Sequence, residues 1–424
     1  MVFFEQLINF TAKSVPGNAV ALMSLSLFDW SLCGLVGAQD GSYDDFVQLQ
    51  QSLSEGPCSV FGGGNANAPT AALLNGTLSR ALLYDDMHSG LIGPLTSSVL
   101  SAVVALGQEV NADVDAVIEA SAIGVEAAVL VGIWLCKMHP QTAVEGSTIP
   151  GTLGATLGTC RLLGLDKSEI RAALALSSGM VANFGLQKAT AVHPLSAGMA
   201  ARSGVEAALW AQSGVTCQTE NLTRPLGLFD AAGEDLPKIE FPKKLWNLCA
   251  IQHQFHSCSP GLHPVIEALR NGAVDPENID TLTIRTHERW VSECPFEAPK
   301  TGQEAKLSLW HGAAMAILGY DTAAVSGFSD ASTQIVELAE MRLRITVQAD
   351  ERLSPSQAEI TVHQKRGGLL RLRHDISGPL HVEERAARLQ EKACALIGEA
   401  QAEALWQATQ GEDLRAVGDQ LVMS

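Results

Sequence analysis

Aromatic residues make up only 5% of the 424-residue chain. That is too few for an aromatic-rich sandwich core, so burial has to come from small and aliphatic side chains packed closely on helices. Basic residues are scarce as well. Lys and Arg number 28 against 46 Asp and Glu, a formal net charge of -18, which argues against nucleic-acid or anionic-membrane binding because both need clustered cations to offset phosphate. A polyanionic small molecule would need a locally positive pocket. The nine cysteines are odd in number, scattered and without a CxxC pair. Neither a disulfide framework nor a cysteine zinc site is indicated, and a reducing cytoplasm is the expected setting. The first residues, MVFFEQLINFTAKS, lack the basic start and cleavage pattern of a secretory leader. No repeat or low-complexity tract occurs, and Gly62-Gly63-Gly64 lacks the preceding strand and the spacing of a phosphate-cradling loop.

What is present is apolar material, 46% of the chain, enough for two domains. The stretches from Ala21 to Ala38 and from Ile118 to Cys136 are long and apolar, but the first carries Asp29 and the second Glu119 and Glu126. Charges near the middle of a span cost about 2.5 to 3.5 kcal/mol each in lipid, so both read as buried helices of a bundle. Helical spacing persists to about Asn247, as in SVLSAVVALGQEV and TLGATLGTCRLLGL, with caps such as Asp166 before KSEIRAALAL. After Phe241-Pro242-Lys243-Lys244 the pattern becomes strand-like in IDTLTIRTHE, MRLRITVQAD, AEITVHQKR and LLRLRHDI. Gly367-Gly368 between the last two predicts a hairpin turn and an antiparallel pair. Beyond Ile376-Ser377-Gly378-Pro379 the helical period returns. The expected architecture is mainly α: an all-helical domain over 1–247, a smaller inserted α+β lid domain over 248–378, and C-terminal helices over 379–424 rejoining the first domain.

The run AALLNGTLSRALLYDDMH, from Ala71 to His88, delivers two adjacent carboxylates, Asp85 and Asp86, and then His88 at one helix end. With GVEAAVLVGIWL, GTLGATLG, ANFG, GMAARSGVEAALWAQSG and AKLSLWHGAAMAILG following in order, it resembles the MmgE/PrpD family over nearly the whole chain. The resemblance implies cofactor-free dehydration, decarboxylation or epimerisation of small di- or tricarboxylates, at the interface of a large helical domain and a small lid, typically in a homodimer. These reactions share a step in which a proton or a carboxylate leaves next to a carbonyl-type group and the developing charge must be stabilised.

The same resemblance places most of the family's site positions on changed residues. Asp85 and Asp86 match the retained pair, but Leu83 stands where the family commonly has Asp, and Gly93-Pro94 where it has His-Pro. Glu145 takes a histidine position. Either His193, in His193-Pro194-Leu195-Ser196, or Lys188 occupies the place of a lysine-containing segment. His253 replaces the domain-boundary lysine, with Phe255, His256, Cys258 and His263 beyond, and His311 replaces a tyrosine. The implied pocket therefore has Glu145 or His253 as proton-abstracting base and His193 and His311 as donors to the developing enolate. Asp85, Asp86, His88, Lys188, His256 and Cys258 would contact substrate, Lys188 by holding a carboxylate. Exchanging lysines for histidines, which titrate near pH 6.5 when unperturbed, points to a less anionic substrate than a tricarboxylate.

Blander readings stand beside this one. The paired Asp85 and Asp86 suit a helix cap, a salt bridge or the orientation of a histidine, and Cys258 suits packing as well as nucleophilic attack. Three imidazoles and a carboxylate are acceptable metal ligands, although no local ligand spacing supports a metal. Isomerisation or carbon–carbon rearrangement on the same scaffold, and an inactive paralogue serving as scaffold, complete the alternatives.

Overall fold

The computed structural model describes residues 2–88, 95–138, 149–181, 192–216, 237–378 and 380–423. These form two compact units, Met1–His253 with Glu399–Ser424, and Gln254–Gly398.

The first unit carries helices α1 (Val2–Phe10), α2 (Gly17–Gln39), α3 (Asp44–Ser52), α4 (Ala68–Arg80), α5 (Thr96–Val110), α6 (Val114–Met138), α7 (Ile149–Leu163), α8 (Lys167–Ser178) and α9 (Val192–Gln212). Helix α8 starts on the cap expected at Asp166, and the structure extends it to a capping box: the Asp166 side chain accepts from Ser168 and Glu169 while Glu169 reaches back. The apolar windows of α2 and α6 are long enough to cross a membrane, and 83% of each window is buried within the protein. Small residues let the helices approach backbone to backbone. A Cβ on Gly76 of α4 would lie 2.7 Å from Gly198 Cα of α9, and one on Gly124 of α6 would lie 2.7 Å from the Gly154 carbonyl of α7.

This half is not wholly helical, contrary to the expectation. Two minimal antiparallel ribbons interrupt it, β1 (Cys58–Ser59) with β2 (Asn65–Ala66), and β3 (Met87–His88) with β4 (Ile251–Gln252). The three glycines 62 to 64 all take positive φ and turn the chain between β1 and β2, a geometry that side-chain-bearing residues resist. Asn75 then ties that ribbon to α4, accepting from Phe61 N at 3.0 Å and donating to Ser59 O at 2.9 Å.

The second unit contains α10 (His263–Asn271), α11 (Glu288–Glu293), α12 (Gly302–Lys306), α13 (Leu309–Leu318), α14 (Asp330–Thr333), α15 (Val336–Arg342) and α16 (Val382–Ile397) around strands β5 (Ile279–Thr286), β6 (Ile345–Ala349), β7 (Gln357–Gln364) and β8 (Leu369–Asp375). The strand order is β6-β5-β7-β8. β7 and β8 form the expected antiparallel hairpin, with Gly367 and Gly368 at positive φ in the turn, while β6 runs parallel to β5. Leu282, Ile284, Ile360 and Val362 of the sheet share a core with Leu262, Leu269 and Met315.

Helices α17 (Glu399–Thr409) and α18 (Leu414–Leu421) return to the first unit, where Trp406 meets Phe28 edge-on at 5.0 Å and Leu421 O accepts from Gly62 N. The return begins later than the sequence pattern suggested. Helix α16 belongs to the second unit because its polar face is bound there: Arg388 pairs with Glu267 and lies 3.9 Å above the Phe255 ring.

Candidate acid–base site

The β3–β4 ribbon pairs Met87 with Gln252 and His88 with Ile251. Continuing that register by one residue sets Asp86 opposite His253, although the two lie far apart in sequence. The segment leading into β4 is fixed from within the bundle. Glu126 of α6 accepts from Asn247 Nδ2 at 2.6 Å and Leu248 N at 2.7 Å, and the Asn247 carbonyl in turn faces His88 Nε2 at 2.9 Å. A carbonyl only accepts, so His88 carries its proton on Nε2 there. Burial holds the His88 imidazole below its usual range.

Around Asp86 the polar groups converge. Ser26 of α2 lies 3.2 Å from Asp86 Oδ2 and 3.0 Å from His253 Nε2, and His253 Nε2 is 4.0 Å from the carboxylate itself. Thr96, at the start of α5, donates to the other oxygen of Asp86. Ser97 donates to Asp85 at 3.0 Å, and Arg80, the last residue of α4, is 3.5 Å from the same carboxylate. Arg80 also reaches His193 Nε2 at 3.4 Å. Asp29 and Trp30 complete a small recess shared with Ser26, Asp85, Asp86, Thr96 and Ser97. Burial, together with the negative charges of Asp29 and Asp85, pushes the Asp86 carboxyl up to about 8 against the opposing hydrogen bonds of Thr96 and Ser26. Asp86 is thus protonated at neutral pH and can donate, which makes Asp86, Ser26 and His253 a continuous chain for one proton.

The structure brings together Asp85, Asp86 and His253, and His193 through Arg80. His256, Cys258 and His311 lie in the second unit. There His256 is buried with Nδ1 2.8 Å from Thr322 Oγ1 and Nε2 3.0 Å from Glu267. Burial works against charge on Glu267, but His256 and Arg388 outweigh it and hold the carboxyl well below its usual range. Burial and the neighbouring Cys294 push the Cys258 thiol well above its usual range, which leaves little thiolate for attack. His311 receives Arg342 at Nδ1 (2.9 Å), and its pKa is lowered to about 4 by burial and that guanidinium. Because a guanidinium only donates, the His311 proton sits on Nε2, facing Ser332 Oγ at 3.4 Å. His311 is a fixed neutral donor in this environment. Glu145, Lys188 and Gly93-Pro94 lie outside the described residues. Among the described residues no three His, Cys, Asp or Glu side chains are grouped to hold a metal ion.

Ser26, Asp29, Arg80, Thr96 and Ser97 escaped the sequence reading. The available signal was Ser26 and Asp29, one helical turn apart in a mainly apolar α2, and Arg80 within the motif run itself. Leu83 adds a backbone signature, with φ 54, a left-handed conformation that Asp and Asn adopt more readily than Leu.

A carboxyl–hydroxyl–imidazole chain buried in a helical framework is an arrangement that can carry acid–base chemistry. Comparison places it more narrowly: residues 5–239 match the MmgE/PrpD N-terminal domain and residues 256–413 the MmgE/PrpD C-terminal domain, so the chain belongs to the MmgE/PrpD family. It is 26% identical over 349 residues to the cis-aconitate decarboxylase-like protein oryM of Aspergillus oryzae, covering 72% of this chain and 71% of that one. It is also 26% identical over 313 residues to cis-aconitate decarboxylase of Mus musculus, covering 67% of this chain and 62% of the mouse enzyme, less than two thirds of its length.

Proposed function

We propose that this protein is a lyase working without a bound cofactor, which moves a proton at a carbon next to a carbonyl or carboxylate of a small organic acid or ketone. The observation that carries the reading is the Asp86–Ser26–His253 chain, with Ser26 within 3.2 Å of both partners. His253 serves as the base in this reading. The proton it gains is returned to the leaving group, while Asp86, which already holds its own proton near neutral pH, keeps Ser26 placed against the imidazole. Arg80, flanked by Asp85 and His193, supplies a fixed cation where the sequence shows lysine positions exchanged for histidine, and it favours a substrate with one carboxylate near the reacting carbon. The names of the two relatives support decarboxylation as the first reaction to try. Glu145 and Lys188 remain proposed members of the same machinery, and His311 is proposed as a neutral donor.

The experiment is a screen of unsaturated acids, hydroxy acids and ketones in deuterated water, read by NMR for product and for deuterium at the carbon next to the carbonyl. On the substrate so found, His253→Gln is expected to lower kcat by about 10²–10⁴-fold, the usual contribution of one acid–base group. Undiminished turnover in His253→Gln would remove the assignment. Deuterium uptake with no elimination or loss of carbon dioxide would move the protein to the isomerase reading.

A further inference from the structure

The sheet of the second unit packs one face on its own helices and carries guanidinium groups on the other. On that outer face the register sets Arg285 of β5 beside Glu359 of β7, and Glu359 beside Arg373 of β8, while the next rung aligns Thr283, Thr361 and Arg371. Glu359 is 3.0 Å from Arg285 and 3.7 Å from Arg373, and Asp350 pairs with both Arg285 and Arg352. Arg371 is exposed and has no ion-pair or hydrogen-bond partner among the described residues.

A groove of about 380 Å³ lies over these rungs, lined by Arg285, Glu359, Thr361, Arg371 and Arg373, a volume within the range of small-molecule sites. Its lining holds three guanidiniums and one carboxylate, an excess of two positive charges in a chain of net charge -18. Basic residues on an edge strand protect it from pairing with other chains, which accounts for Arg371 and Arg373 taken singly. Arg285, on an interior strand, is held in the same groove by its pairs with Glu359 and Asp350. Arg371 and Arg373 project from the same face about 6.8 Å apart; Glu359 serves Arg373 at 3.7 Å, which leaves Arg371 as the guanidinium in the groove without a counter-charge among the described residues.

We propose that this groove is a binding site for a small multivalent oxyanion, one with two anionic groups spaced to bridge neighbouring guanidinium rungs. Di- or tricarboxylates and condensed phosphates share that chemistry. The site is separate from the acid–base chain and does not rest on the proposed function.

The test is calorimetric titration of the full chain at low ionic strength with citrate and, separately, pyrophosphate, in wild-type and in His253→Gln. Binding should occur in both backgrounds, and the tighter of the two probes identifies a carboxylate or a phosphate ligand. The pair Arg371→Gln with Arg373→Gln should weaken it by about tenfold or more, as loss of charge-assisted bonds requires. Arg366→Gln, exposed in the β7–β8 turn, should leave it unchanged. No measurable binding of either probe would overturn the proposal, as would equal weakening by Arg366→Gln, which means diffuse attraction. Dissociation of an oligomer by the double variant, with probe binding intact, would also overturn it by making the face a contact between copies.

Discussion

Asp86→Asn should stabilise the protein at neutral pH while impairing it as a catalyst. The folded-state pKa of Asp86 is raised from an ordinary 3.8 to about 8, by burial first and by Asp29 and Asp85 second. The folded state therefore binds this proton more tightly than the unfolded chain does. Its stabilising effect is fully present below about pH 4 and is lost progressively as the pH rises through 8. One proton changes stability by about 1.4 kcal/mol per pH unit inside that window. Between pH 5 and 7 the wild-type should lose about 3 kcal/mol through this group, and of the order of 5 kcal/mol over the full window. Asparagine keeps the size and an acceptor for Thr96 or Ser26 but cannot ionise, so the variant escapes the loss. The assay is urea unfolding at half-unit pH steps from 5 to 9, read as the difference between variant and wild-type so that other titrating groups cancel. A difference that widens steadily to about pH 8 and then levels supports the reasoning. Parallel curves would show that Asp86 ionises in the ordinary range, and the proton chain would go with it.

Other consequences can be measured directly. Gly198→Ala places a Cβ 2.1 Å from the Leu73 carbonyl, which no rotamer change relieves; a loss of about 3 kcal/mol is expected from urea unfolding, at the top of the range for overpacked cores. Gly17→Ala, with nothing within 4 Å, should be neutral or slightly stabilising. Glu126→Leu strands the Asn247 amide and Leu248 N–H, so stability should fall by about 1–3 kcal/mol for each, and turnover should fall with it because the segment leading to His253 loses its tether. The Hε1 resonance of His311 should not titrate between pH 8 and 5, since burial and Arg342 lower its pKa to about 4; a midpoint near 6.5 would contradict the fixed-donor assignment.

Periodicity carried much of this structure. The run around Asp166, the hairpin at Gly367-Gly368 and the four strands of the second unit follow from local rules that act within a few residues. What sequence could not supply was long-range pairing. The parallel partnership of β5 and β6, the Gly76–Gly198 contact and the meeting of Asp86 with His253 each join distant segments whose local patterns are silent about one another. Glu126 shows why polar residues were misjudged: read along the helix it is an objection to a membrane span, and read across the bundle it is a clamp on Asn247 and Leu248. The run from Ala71 to His88 changed meaning in the same way. It marks a family in sequence, whereas in space its Asn75 ties a ribbon and its Gly76 admits α9.

The order of the two units along the chain has a consequence for biosynthesis. Ser26, Asp86, Glu126 and His253 have all left the ribosome before the second unit emerges, so the proton chain can assemble while the sheet is still being made. Partners of the first unit are made after the second: Trp406, which meets Phe28 of α2, and the α18 end that binds Gly62 both follow it in the chain. A polypeptide interrupted after residue 398 would hold every described member of the chain, with the helix that presents Ser26 still missing its Trp406 buttress.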